Sequence, residues 1–383
     1  MKHSVIALFV LALLLSFTSC NNKLEVFSPG EESVSVYGIL NPNEPVQYIR
    51  INKVYLTDGD AMVAGQDNGQ INYGAGELTV TLQRFINSTS TTPTVTTKNN
   101  IAKKEIILTE TVVTTQSGNF NTNQRLWQTT DRLYNSGDYR LTIKNNSTGA
   151  VFTAQTSIID SVKPFGTQQP MPFLYIPGNP SAYPMHGNYP ANPISTDRPK
   201  YVNYDIPTAN YFIKFRTVPN ARLYGVVMRF HYIDSLIGGG ANHEFVDYNF
   251  TTAKSSDLTG GTMLEDFKFL GNTFYENLAR EVSKKPVPNL KNRRSFYMEF
   301  IVQAGSENLS DFLQINAPSN SIAQDKPSYS NINGGVGIFA SRSTSIVTKD
   351  MWNDFIDRIA CHSSTNPLLF CNSSGVPSVS VCN

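Results

Sequence analysis

The chain has 383 residues, enough for two or three domains, and its 40% hydrophobic and 11% aromatic content excludes wholesale disorder. Charged residues make up only 16%, below the roughly 25% of typical soluble domains. Lys and Arg number 31 against 30 Asp and Glu. The protein therefore has almost no net charge with which to attract nucleic acid or another polyanion.

The N-terminus has the pattern of an export signal. Lys2 precedes an apolar run over residues 5–15, which matches a signal-peptide core and is too short for a spanning helix. Small residues then lead to Cys20, which resembles the bacterial lipoprotein cleavage box. We therefore expect residues 1–20 to be a lipoprotein signal segment and Cys20 to carry acyl chains that anchor the mature protein to a membrane surface. Asn21 favours the outer membrane, and the choice between its periplasmic and outer faces stays open.

The first domain is predicted to be a β-sandwich. Apolar and polar residues alternate with period two in several short segments, and clusters of Asn, Gly, Ser and Pro separate them. The alternating segments are 34–40, 46–55, 78–84, 105–113, 139–144 and 151–158. Short strands at this spacing indicate an immunoglobulin-like sandwich over residues 21–160.

Residues 161–208 differ from the rest of the chain because ten of its 21 prolines lie there. Proline cannot donate a ladder hydrogen bond, so this segment is predicted to be a linker or a covering loop. Five tyrosines are interleaved with the prolines: Tyr175, Tyr183, Tyr189, Tyr201 and Tyr204. Either they pack on the flanking domains, or they form an exposed aromatic platform for a glycan or a peptide.

Residues 209–383 are predicted to form a second β-rich domain with one or two helices. Strand patterns occur at 211–216, 223–233, 296–302 and 337–340. Thr273 and Glu276 have the spacing of a capping box, which predicts a helix near 273–285. Apolar residues at helical spacing predict another near 349–361. The whole chain is therefore expected to be mainly β.

Three cysteines follow the lipidation candidate: Cys361, Cys371 and Cys382. In an oxidising compartment two of them are expected to pair, which leaves the third free or in an intermolecular bond. The spacing does not distinguish the three pairings.

Motifs of enzyme chemistry are missing from the sequence. It contains no nucleophile elbow, phosphate-binding loop or dinucleotide fingerprint. The stretch from His243 to Asp247 has Asp where a zinc protease needs its second His, and His231 is expected to be an ordinary sheet residue. The sequence therefore predicts no catalytic residue, no metal and no cofactor. A hydrolase whose two carboxylates come from distant positions remains an alternative.

Four short motifs resemble a known family. They are the strand over 34–40, Arg222-Leu-Tyr224 at a strand start, the segment 271–275 at a helix start, and the late segment 329–339 with its N…G-x-G-I-F pattern. Together with the lipoprotein box, they resemble the uncharacterised Bacteroidota outer-membrane lipoproteins classed as domain of unknown function 4249. The resemblance implies an N-terminal sandwich followed by a second β-rich domain, and it implies no catalytic residues.

The resemblance also implies an accessory role, because members of that family often accompany TonB-dependent outer-membrane receptors. We therefore expect a lipid-anchored, non-enzymatic binding or accessory protein of the outer membrane that assists such an uptake system. The alternative is a surface glycan-binding module. In either case the expected partners are a membrane, a receptor, and a glycan or peptide, but not nucleic acid.

Overall fold

The computed structural model describes residues 32–54, 68–94, 105–114, 123–162, 201–317 and 329–380. Of the described residues, 51% lie in strands and 14% in helices, which confirms the expected mainly β, two-domain fold class. The signal segment 1–20 and most of the Pro/Tyr-rich segment 161–208 lie outside the described residues. In the described part, every helix is too short or too polar to cross a bilayer.

The first sandwich packs two mainly antiparallel layers on a shared core. Its strands before the Pro/Tyr-rich segment are β1 (Val34–Leu40), β2 (Gln47–Lys53), β3 (Leu78–Phe85), β4 (Ile106–Ile107), β5 (Thr109–Thr114), β6 (Asn123–Thr129), β7 (Asp138–Asn145) and β8 (Val151–Ser157). A four-residue helix, α1 (Asn68–Ile71), precedes β3. Alternate residues of β1 and β8 are buried, as the period-two pattern predicts.

The strands of the second half are longer. They are β9 (Tyr201–Val202), β10 (Asn210–Arg216), β11 (Ala221–Leu236), β12 (Ala241–Asn249), β13 (Ala253–Lys254), β14 (Met263–Leu270), β15 (Leu290–Ser306), β16 (Ile332–Asn333) and β17 (Gly335–Met351). The helices are α2 (Gly271–Ser283), α3 (Glu307–Ile315) and α4 (Asn353–Cys361), with short 3₁₀ turns at Asn366–Leu368 and Ser378–Ser380.

Strand β17 belongs to both halves of the molecule. Residues 335–341 pair in parallel with β1, and residues 342–350 pair antiparallel with β15. The result is one ten-stranded sheet with the main order β12-β11-β15-β17-β1-β2-β6-β5. The opposite layer of the first sandwich has the order β16-β8-β7-β3-β4. Residues 332–341, which the sequence analysis placed in the second domain, therefore pair with strands of the first.

The late N…G-x-G-I-F motif makes this strand pairing feasible. Gly337 has a φ of +111°, and a Cβ there would overlap the carbonyl oxygen of Val36 on β1. Beside it, the Asn331 amide donates to the Phe339 carbonyl at 2.7 Å and accepts from the Phe339 backbone N–H at 2.9 Å. The motif is thus a device for joining β1 to β17.

The second sandwich has a large sheet on one side and a mixed layer on the other. The sheet is the β12-β11-β15-β17 part of the long sheet, with β9 paired to the end of β17. The two-stranded sheet β10-β14 and the helices α2 and α4 contribute to the core that the large sheet also lines. Aromatic side chains fill much of this core, among them Tyr204, Tyr211, Phe230, Phe269, Phe274 and Phe355.

Both predicted helices exist, but their starts differ from the prediction. Helix α2 begins at Gly271, so Thr273 lies inside the helix and the predicted capping box does not form. The first amides are satisfied instead by the loop before β10: Gly271 N–H donates to Ala209 O at 2.9 Å, and Asn272 N–H donates to Pro207 O at 2.7 Å. Helix α4 begins at Asn353 because residues 348–351 pair in β17.

Arg293 of β15 forms a buried ion pair with β11 and fastens the C-terminal segment through hydrogen bonds. Asp234 Oδ1 lies 2.9 Å from Arg293 Nε, and both side chains are more than nine-tenths buried. Arg293 also donates from Nη1 to Leu368 O and from its backbone N–H to Leu369 O, both at 2.8 Å, and its own carbonyl accepts from Cys371 N–H at 2.8 Å. Burial raises the pKa of Asp234 above its ordinary value, and Arg293 opposes this shift.

We expect Gly337→Ala to lower the free energy of unfolding by at least about 2 kcal/mol, because the new methyl group meets the β1 backbone and the positive φ is strained. Gly149→Ala is the matched control: its φ is +78°, but open space surrounds the position, so only about 1 kcal/mol of strain is expected. Urea unfolding measures both. Equal losses would contradict the role assigned to Gly337.

Candidate functional site

Strands β11, β12 and β15 bring a group of histidine and aromatic side chains together. In the β11–β12 hairpin, His231 lies opposite Phe245, and His243 lies two residues before Phe245 in β12. On the other side of β11, Tyr297 of β15 lies opposite His231. We call the following residues the histidine–aromatic cluster: His231, His243, Phe245, Phe296, Tyr297 and Glu299.

A chain of hydrogen bonds runs through the cluster. His231 Nε2 lies 3.0 Å from Glu299 Oε2, and His231 Nδ1 lies 3.2 Å from His243 Nε2. An ionised carboxylate can only accept, so the Nε2 of a neutral His231 carries the proton and donates to Glu299. The Nδ1 of His231 then presents its lone pair to His243. Glu299 thereby fixes the tautomer of His231.

The His231 and His243 side chains differ in burial and in how tightly they are packed. His231 is only 7% exposed and stacks on the Tyr297 ring, with centroids 4.2 Å apart and planes at 22°. His243 is exposed and meets the Phe296 ring edge-on at 5.6 Å. One imidazole is therefore held in place by packing, whereas the other can adjust to a ligand.

The cations beside the cluster are paired with carboxylates. Arg229 donates to Asp247 through Nε at 2.7 Å and through Nη2 at 3.0 Å, and this hydrogen bonding raises the pKa of Arg229. Lys285 Nζ lies 3.1 Å from Glu244 Oε2. Both cations also approach the Phe245 ring, at 4.1 Å and 5.5 Å from its centroid. The Phe245 ring is thus contacted by two cations, each of which is paired with a carboxylate.

A cavity of about 390 Å³ adjoins the cluster. It lies between β12 and α2 and is lined by Phe245, Val246, Asp247, Asn249, Asn277, Arg280, Glu281 and Lys285. Glu281 accepts from Lys284 and Arg280, and these hydrogen bonds lower its pKa. The lining is therefore mostly polar and internally paired, with the exposed Phe245 ring at one side.

The exposed aromatic rings can stack on a planar ligand, and the exposed His243 imidazole can donate or accept a hydrogen bond. The hydrogen-bonded chain through His231 can also pass a proton between His243 and Glu299. Among the described residues, no group of three or more His, Cys, Asp and Glu side chains is arranged around a common metal position. The sequence predicts His231 as an ordinary sheet residue and does not indicate the cluster, because the members of the cluster meet only through strand pairing.

Several residues proposed from the sequence lie outside the described ranges, namely Cys20, Tyr175, Tyr183, Tyr189 and Cys382. Their predicted roles stay predictions. Tyr201 begins β9, where it pairs with Asp350 of β17.

Tyr204 is fully buried and has no surface to offer a ligand. Its ring packs against Tyr211 at 4.8 Å, Phe269 at 5.0 Å and Phe355 at 5.3 Å between centroids. Burial raises the pKa of its hydroxyl, which has no hydrogen-bond partner in the described part of the chain. Of the two roles considered for these tyrosines, the structure gives Tyr204 the packing one.

The two described cysteines of the C-terminal region are in different states. Cys361 is disulfide-bonded, whereas Cys371 is a free thiol with 2% exposure. Burial raises the pKa of Cys371, which keeps it in the unreactive thiol form.

Comparison with known proteins adds little. No protein-family model matches the chain, and no curated protein matches it. Among solved structures, InvD of Yersinia pseudotuberculosis is similar at 8% identity with a TM-score of 0.17. The match covers 72% of this chain and 65% of the InvD chain, so this chain spans less than two thirds of that length. A likeness at this level carries no argument about function.

Two buried tyrosines give a matched test of packing. The Tyr275 hydroxyl donates to the backbone carbonyl oxygen of Tyr204 at 2.5 Å. Tyr275→Phe is therefore expected to lower the free energy of unfolding by about 1 kcal/mol. Tyr204→Phe removes a hydroxyl without a described partner, so it should leave stability unchanged or raise it. Thermal unfolding distinguishes the two. A loss in Tyr204→Phe as large as that in Tyr275→Phe would contradict this account.

Proposed function

We propose that this protein is a lipid-anchored, non-enzymatic binding or accessory protein of the bacterial outer membrane that assists a TonB-dependent uptake system. We further propose that the histidine–aromatic cluster is its contact surface. The observation that carries the proposal is the cluster itself. Its exposed aromatic and imidazole side chains project from a hydrogen-bonded sheet, and the neighbouring cations are paired with carboxylates.

The N-terminal sequence supports a lipid anchor. An apolar core of signal-peptide length leads through small residues to Cys20, and thioether-linked acyl chains at that cysteine would hold the protein at a bilayer surface. The resemblance to Bacteroidota outer-membrane lipoproteins and Asn21 support the outer membrane as the location.

Contact at the cluster would be driven by burial of aromatic surface. Phe296 is 52% exposed and Phe245 is 42% exposed, so a partner that covers both removes apolar area from water at roughly 25 cal/mol per Å². The neighbouring cations are held by Asp247 and Glu244 and would contribute little long-range attraction. Recognition would therefore depend on shape, stacking and hydrogen bonds at His243.

The anchor is tested by Cys20→Ser. We expect this variant to lose incorporation of labelled palmitate and to move from the membrane fraction to the soluble fraction, because the thiol that accepts the lipid is gone. Cys371→Ser is the control, since this free thiol is buried and should be irrelevant to anchoring. An unmodified wild-type chain in the soluble fraction would refute the anchor.

The contact surface is tested by replacing Phe296 with a photoreactive phenylalanine in the full chain in cells. Irradiation should crosslink it to an outer-membrane barrel, because this ring is exposed in the cluster. The matched position is Val151, which is 54% exposed on β8 of the first sandwich and should give no such product. Equal crosslinking at both positions would refute the cluster as the contact surface, and consistent recovery of nothing would count against the accessory role.

A further inference from the structure

The facing ring nitrogens of His231 and His243 are separated by the distance that is typical of two ligands of one metal ion. Their facing nitrogens, Nδ1 and Nε2, lie 3.2 Å apart. Two bonds of 2.0–2.1 Å that meet at a tetrahedral ion separate their nitrogens by about 3.3 Å. The observed spacing therefore matches the bite of a shared ion. A hydrogen bond now joins the two nitrogens, so the exposed His243 ring has to turn to aim its lone pair at the ion.

Glu299 supplies a second, independent feature of a metal site. A histidine that ligates a metal commonly donates its other ring N–H to a carboxylate, which fixes the tautomer and raises the basicity of the ligating nitrogen. Glu299 Oε2 lies 3.0 Å from His231 Nε2, the ring nitrogen that points away from His243. Stacking on Tyr297 and near-complete burial hold His231 in this orientation. The carboxylate also adds a negative charge close to the ion.

We propose that His231 and His243 chelate a divalent transition-metal ion of borderline softness, such as Zn²⁺ or Cu²⁺, with Glu299 as the positioning residue for His231. Imidazole is a ligand suited to these ions, whereas Mg²⁺ and Ca²⁺ prefer oxygen. Two protein ligands leave coordination positions open toward solvent on the His243 side. Water or a donor atom of a bound ligand would complete them.

The proposal shares only its location with the proposed function. Metal binding is measured on the purified full mature chain, without a membrane or a receptor, so its failure would leave the anchoring and crosslinking results as they are. Failure of the anchor or of the receptor contact would likewise leave the metal titration unaffected.

The experiment is a titration of Zn²⁺ by calorimetry into protein without a polyhistidine tag, in a Cys371→Ser background so that the free thiol cannot contribute. We expect saturable binding of one ion per chain. His243→Ala should weaken it by at least about tenfold, because one of two ligands is lost from an exposed position where folding is unaffected. His362→Gln is the control: this histidine contacts Asn272 and Tyr275 and should leave Zn²⁺ affinity unchanged.

A spectroscopic readout separates ligand loss from a structural effect. Electron paramagnetic resonance of the Cu²⁺ form should show two coordinated nitrogens, and His243→Ala should reduce them to one. Glu299→Gln should keep both nitrogens and lower the affinity by about tenfold or more, as expected of a group that orients a ligand. Absence of saturable Zn²⁺ binding, or binding that survives His243→Ala unchanged, would overturn the proposal.

Discussion

The structure depends on the pairing of one strand with both halves of the molecule. The first part of β17 lies parallel to β1 and the remainder lies antiparallel to β15, so the two sandwiches share a continuous hydrogen-bonded sheet. A parallel partner so far away in sequence requires the chain to return across more than 300 residues. Gly337 permits the backbones to meet at that point, and Asn331 satisfies the adjacent polar groups of Phe339. The geometry of the distant cluster rests on this joint, since β15 is aligned by β17.

Local patterns predicted most of the strands because half-buried strands alternate with period two. β1, β7 and β8 bury every second residue and were found within one residue of their ends. Residues 243–247 of β12 were predicted only as strand or loop, because this edge strand has few buried residues and its sequence lacks the alternation. The start of α2 was missed for a different reason: tertiary carbonyls from residues 207 and 209 cap it, and no local signal records them.

The cluster was harder to predict, because its members lie on three strands whose pairing is not local. One signal was present. Three consecutive glycines at 238–240, all with positive φ, turn β11 into β12, and a hairpin centred there places His231 beside His243. Glu299 and Tyr297 have no such signal, since their register against β11 includes a bulge next to His231. Strand pairing across such distances is decided by the core as a whole rather than by any one segment.

Strand β12 forms one end of the long sheet, and its sequence limits how neighbouring molecules can associate. An open strand edge is a template for the backbone of another copy. Glu244 and Asp247 place charge along this edge, and each is fixed by a cation from outside the strand. Adding a foreign strand would require these ion pairs to be dehydrated or broken. The charged, ion-paired edge that carries His243 therefore opposes the addition of a strand from another copy.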